Sequence, residues 1–348
     1  MKRSHTSRAG FTLIEVLVSL VIFGLISAAI YSAYYAQVKQ TTRQYKFAKA
    51  SMDIQIGKNL IERDITMAGF GLAENFEGHS DVGNLAAKTR AIGAVNGVAS
   101  ASDQMTIMGT ALGITTRYSQ GWTVVKTDPI TSVSAPVAWT DDPRDALQSG
   151  TYYVAMDPFG RKLSNPWVGQ HSLASPATLL PQGTLLYALS GTTVSTSSTP
   201  YYGVKYYLDL PRDVACAPGA MPLRRLELRS YTVAGTGSRI VNCALNMQVA
   251  FGLDQTDPPD EVIDLWDNGG VQAAVLSREN LNKQLKQVRV YVLSQASERD
   301  DNYQSPSPIR VGEADLGTGA DVTLDLVQNQ EKYRWNLLTM VVTPRNMR

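Results

Sequence analysis

Cysteine and histidine are nearly missing from this chain. Its 348 residues hold two cysteines and three histidines, which excludes a disulfide-dense scaffold and offers no C-x-x-C metal or redox pair. An excess of one charge is missing as well. The 32 basic and 31 acidic residues leave a formal +1, so there is no global basic surface to displace counterions from a polyanion. No H-E-x-x-H, G-x-S-x-G or P-loop signature occurs, and Gly57-Lys58-Asn59 falls inside a predicted helix. At 44% hydrophobic and 18% charged, the chain is too apolar to stay disordered. Its length allows one large or two modest domains.

Two absences are local. No proline precedes Pro129, although the chain has 16, and Gly24 is the only glycine between Phe11 and Gly57. Charge is missing from Phe11 to Ala36 except at Glu15. What fills that gap is apolar: about 26 residues, roughly 39 Å as a helix, enough to cross a bilayer core of ~30 Å. Lys2, Arg3 and Arg8 precede it and hold that end in the cytoplasm, so the bulk of the chain lies across the membrane. A secretory signal peptide fits poorly, because Ala28-Ala29 is followed by Ile30, Tyr31, Tyr34 and Tyr35 rather than a small-residue cleavage site. A plain anchor leaves Glu15 unexplained, since a carboxylate there costs about 2.5–3.5 kcal/mol on insertion scales.

Gly10-Phe11-Thr12-Leu13-Ile14-Glu15 resembles the type III signal of type IV prepilins and type II secretion pseudopilins. The resemblance implies that a prepilin peptidase cuts after Gly10 and methylates Phe11, and that residues 1–10 are the leader. It also implies that Glu15 acts in assembly. Cleavage creates an α-amino group at Phe11, and Glu15 of one subunit can pair with the amine of the next, offsetting two charges in an apolar setting.

The helix is predicted to continue past Ala36, giving a segment 11–70 that is transmembrane over 11–36 and amphipathic over 37–70. Tyr45, Ala48, Met52, Ile56 and Leu60 form its expected packing stripe, widened by Ile54, Ile61, Ile65 and Ala68. Gly69 and Gly71 are the expected stop. Glu62 to Gly71 resembles a stretch in the larger minor pilins of the PilW type. So do Asn246–Asp254, Lys286–Glu298 and the closing Arg334–Met347. Pilins of this kind carry a half-embedded helix and a β-rich head, which implies an α+β fold with an antiparallel sheet.

The head, 71–348, is expected to be periplasmic. Strands are predicted at Gln104–Met108, Trp122–Lys126, Thr151–Met156, Tyr201–Leu210, Leu223–Val233, Ile240–Leu253, Lys286–Ser294 and Trp335–Thr343, with a short helix near Ala273–Leu285. Val288, Val290 and Val292 are expected to face the core, away from Arg289 and Tyr291. Ser190–Thr199 and Asp301–Pro308 read as loops.

In an oxidising compartment Cys216 and Cys243 are expected to pair, a bridge worth about 3–4 kcal/mol in the chain-entropy picture. Two buried free thiols are the alternative. Asp254, Asp257, Asp260, Glu261 and Asp264 offer oxygens for Ca²⁺. However, Pro258-Pro259 stand where a flexible turn is needed and the EF-hand spacing is absent, so a solvated acidic turn is favoured. No other cofactor and no catalytic residue is expected; Asp141-Asp142, His79 and His171 form no recognisable constellation. The 16 tyrosines could stack on DNA or sugars, but at strand spacing they are read as sheet residues, and no nucleic-acid site is identifiable.

The sequence therefore reads as a minor type IV pilin at or near a fibre tip, serving assembly, adhesion, twitching motility or DNA uptake. Its expected partners are the peptidase, the inner-membrane assembly platform, and other minor and major pilins. It would sit as a single-pass inner-membrane protein before assembly and at the cell surface afterwards. A J-type pseudopilin and a membrane-anchored periplasmic ligand-binding protein or enzyme are the alternatives.

Overall fold

The structure is a computed structural model of the chain. It describes residues 12–73, 90–97, 101–112, 122–125, 152–157, 159, 161–170, 180–189, 202–210, 213–228 and 237–347. Two compact units divide at Ser51 and Met52. Helix α1, Leu13–Thr66, runs through the division. It is uninterrupted because no proline falls within it and its glycines, Gly24 and Gly57, lie in mid-helix. In the first unit α1 is the described element, and its apolar side chains from Leu13 to Tyr35 are exposed. Leu13–Thr42 is long and apolar enough to cross a membrane.

Among the described residues of the second unit, fourteen strands follow, with two short helices. They are β1 Ile92–Val95, β2 Gln104–Gly109, β3 Trp122–Val124, β4 Tyr152–Met156, β5 Leu163–Gln170, β6 Leu185–Leu189, β7 Tyr202–Leu208, β8 Met221–Leu228, β9 Ser238–Leu253 and β10 Leu265–Asn268. Then come α2 Val271–Val275, α3 Arg278–Gln284, β11 Leu285–Gln295, β12 Ile309–Val311, β13 Ala320–Val322 and β14 Trp335–Val342. The main sheet has the order β1-β2-β7-β8-β9-β11-β14, with β10 added on β9. A second sheet runs β3-β6-β4-β5, and β12 and β13 form a hairpin. All the pairings are antiparallel. The fold is α+β: a long N-terminal apolar helix ahead of a head rich in antiparallel sheet.

The end of α1 packs on the main sheet through the residues expected to widen its stripe, Ile54, Ile61, Ile65 and Ala68, and not through Met52 and Ile56 at the stripe's centre. Met52 and Ile56 are 67% and 64% exposed. The buried line is Ile54, Gly57, Ile61, Asp64, Ile65 and Ala68, a row at three- and four-residue steps lying more than a quarter turn away. Glycine decides the choice. A Cβ at Gly57 would meet Val241 Cγ2 at 2.7 Å and the Ile240 carbonyl at 3.0 Å, so the helix approaches the strand where it carries no side chain. The line includes a charge, Asp64, which hydrophobic periodicity passes over.

The expected alternation of β11 is also corrected. Val288, Val290 and Val292 do face the main core. Tyr291 on the opposite face is fully buried too, in a second cluster with Ala250, Leu293, Val311 and Val322. The β12–β13 hairpin covers that face, so the sheet has no solvated side here and β11 loses the polar half of its pattern.

Candidate functional site

Thr12 and Glu15 form a reciprocal cap at the start of α1. The Thr12 N–H donates to Glu15 Oε2 at 2.9 Å and its hydroxyl donates to the same oxygen at 3.0 Å, while the Glu15 N–H reaches Thr12 Oγ1 at 3.4 Å. This is the capping box, and its T-x-x-E signature was readable in the sequence though not used there. The carboxylate sits at the positive end of a helix dipole. It uses one oxygen on its own cap, leaving acceptor capacity on an exposed side chain for a cation. Gly10 and Phe11 lie outside the described residues.

The far end of α1 is fixed twice. Asp64 accepts from Arg225 Nε at 2.8 Å and from the Tyr206 hydroxyl at 2.6 Å, all three side chains being buried. Arg225 also donates to Glu227 at 2.7 Å and to the Leu112 carbonyl. Burial pushes the Asp64 carboxyl up against the opposing pull of Arg225 and Tyr206. Burial also lifts the Tyr206 hydroxyl well above its ordinary value, helped by the Asp64 charge. Burial acts to lower Arg225, and Asp64 reverses it, so the guanidinium stays charged. An ion pair this deep adds little net stability but penalises any arrangement that separates its members. The helix then stops at Gly69, φ 78°, and Gly71, φ 67°. The Thr66 carbonyl accepts from Asn346 Nδ2 at 3.1 Å and the Arg345 N–H at 3.4 Å. The Pro344-Arg345-Asn346 tail is thus a cap for the helix.

Cys216 and Cys243 are bonded, 27 residues apart in sequence. The register of β8 and β9 shifts between Met221 and Leu223, opposite Ala244 and Val241, and Cys243 lies there at φ 52°. That irregularity turns Cys243 toward the 213–220 loop. Tyr333 and Trp335 pack against the bridge, with Ala217 and Ala220.

The acidic turn 254–264 is not wholly solvated. Asp254 is buried, and it accepts from the Thr256 N–H at 3.1 Å and the Glu261 N–H at 2.8 Å. Lys286 Nζ lies 3.5 Å from Asp254 and 2.9 Å from Glu261, so an ammonium already supplies the positive charge. Burial raises the Asp254 carboxyl, but these two N–H donors and Lys286 outweigh it and hold the group below its ordinary value. Asp264 accepts from the Gln255 N–H and the Thr256 hydroxyl, and Asp260 from the Val262 N–H. Asp257 is exposed. Among the described residues no three acidic, histidine or cysteine side chains converge on a metal position.

Residues 5–31 match the prokaryotic N-terminal methylation motif, a span that includes Gly10, Phe11, Thr12 and Glu15. No curated protein matches significantly. Among solved structures, a type IV-like pilin from Thermus thermophilus aligns at 8% identity over 86% of this chain and 98% of its own, with a TM-score of 0.36; a likeness this loose carries no argument. The chain thus carries the N-terminal methylation motif at the head of an apolar helix long enough to cross a membrane, ahead of an antiparallel sheet-rich head.

Proposed function

We propose that the chain is a minor pilin of the PilW type, non-enzymatic, cut after Gly10 and methylated at Phe11. The observation that carries the reading is the methylation motif at residues 5–31 on the front of α1. Two features support it further. The Glu15 carboxylate is exposed and keeps acceptor capacity for a neighbouring amine. The head is also large, which suits a position at or near a fibre tip, where neighbours do not confine it on all sides. In this reading the head is periplasmic before assembly and surface-located afterwards. The partners are the peptidase, the assembly platform and other pilins.

N-terminal mass spectrometry of membrane and sheared-fibre fractions tests it. The wild type is expected to begin at N-methylphenylalanine 11 in both, and Gly10→Val to remain full length and unmethylated in the membrane. An unprocessed wild type sinks the proposal. A processed chain found only with a secretion apparatus moves it to the pseudopilins.

A further inference from the structure

The edges of the two sheets are not alike. β1 has four residues and β3 three. β5 contains Pro166, and its register with β4 is interrupted. Shortness, proline and irregular register are the means by which edges are kept from pairing with other chains. β14 has none of them. It is eight residues long, Trp-Asn-Leu-Leu-Thr-Met-Val-Val, without charge, proline or glycine. It pairs with β11 in unbroken register from Gln295↔Trp335 to Val288↔Val342. Among the described residues no strand pairs with its other side. Alternate residues of an antiparallel strand bond to one neighbour, so the rest of β14 turns its N–H and C=O groups outward. Val341 is 47% exposed, and Asn336 is exposed as well.

We infer that β14 is a docking edge for an extended strand of a different subunit, with an uncharged core and acidic residues at its ends. Charge at the two ends of the edge selects this occupant over a second copy. Arg334 precedes the strand and Arg345 follows it, both exposed, and Lys332, half-buried with its Nζ 3.3 Å from the Asp301 carbonyl, lies beside Arg334. Arg334 lies over the Tyr303 ring at 4.0 Å, and its contact with Asp300 is a loose 3.8 Å between half-exposed groups. A second copy paired antiparallel on β14 would bring the Arg334 end of each strand toward the Arg345 end of the other. Like charges opposed across strands are destabilising, whereas acidic flanks on a foreign strand meet the same cations favourably. The incoming core must also be apolar on both faces. Leu338, Met340 and Val342 line the main core, while Trp335 and Leu337 line the second cluster, so an added strand extends both. The inference rests on the edge alone; under the proposed function the donor is another pilin.

The test uses the full chain in detergent micelles and two fluorescent peptides with the same mixed Val/Ile core, one flanked by Glu and the other by Lys. The Glu-flanked peptide is expected to bind roughly tenfold tighter. It should slow hydrogen exchange at alternate amides within 335–342. Val341→Lys should weaken binding by a similar factor and Val341→Thr should preserve it, both with the wild-type circular dichroism melt. No binding, equal binding of the two peptides, or protection outside β14 overturns the inference. So does protection of β14 by self-association, seen as a dimer mass without peptide.

Discussion

Among the described residues, Asp103 is a buried acid whose carboxyl titrates close to neutrality. It is fully buried, and its two oxygens accept from the Gly97 N–H and the Val249 N–H, both at 2.8 Å. It therefore ties the loop between β1 and β2 to β9. Burial raises its carboxyl from 3.8 to about 6, and the two N–H donors only partly offset that. A folded value above the unfolded one means that the folded state holds the proton longer. The associated stability is complete below about pH 4, declines as pH rises through about 6, and is lost above it. The loss amounts to at most about 3 kcal/mol. Asp64, also raised by burial, acts in the same direction. Denaturant unfolding of the full chain between pH 4 and 7.5 should show this decline, and Asp103→Asn should flatten it. The same slope in the variant would remove Asp103 as its source. Charged residues placed on core-facing rows, as Asp64 and Asp103 are, escape a reading by hydrophobic period. Their partners lie far away in sequence, Arg225 for one and Val249 for the other.

At the scale of elements, α1 shows what the sequence makes legible and what it leaves open. Its existence and approximate end were legible because proline is absent, charge is cleared from its first half, and Gly69 and Gly71 supply left-handed turns. Its packing face was legible only in part: Ile54, Ile61 and Ile65 were expected on it, but so were Met52 and Ile56, and the close approach at Gly57 decides between them. Gly57→Val should therefore force the helix off β9 and destabilise the fold by about 1–3 kcal/mol, even though valine adds apolar surface. Met52→Val, on the exposed stripe, should stay within about 0.5 kcal/mol. Thermal melts of the two variants check the contrast, and equal effects would contradict the observed face. The strands followed the same logic. Long β-branched runs such as β9, β11 and β14 were legible. The three- and four-residue β1, β10, β12 and β13 were not, since so short a run carries no period and is held by its partner. Of the site, the methylation motif was legible as a contiguous string. The Asp64–Arg225–Tyr206 lock, assembled from three elements, left no such string.

Across the whole molecule, the single disulfide joins the two features most separated in character, a Pro/Gly loop and the central strand β9. The loop has little else to hold it. It packs through Ala217 and Ala220 under Tyr333 and Trp335, accepts Gln330 Nε2 at the Pro218 carbonyl, and donates the Ala217 N–H to Gln295. The bond thus ties the start of β8 and the irregular stretch of β9 to the residues that lead into β14. Breaking it frees the loop in the unfolded chain and loosens that corner in the folded one. The chain-entropy cost is about 3–4 kcal/mol, more than the ~1 kcal/mol that each neutral hydrogen bond there returns. The Cys216→Ser, Cys243→Ser double variant should lose most of that amount in denaturant unfolding. Reduction of the wild type should reproduce the loss, because the same closure is removed without a change of sequence. Thiol labelling in intact cells adds the compartment. If the head folds where disulfides persist, maleimide should label the chain only after reduction, at two sites. Full labelling without reductant would place the head in a reducing compartment and overturn its periplasmic assignment, while leaving the stability argument untouched.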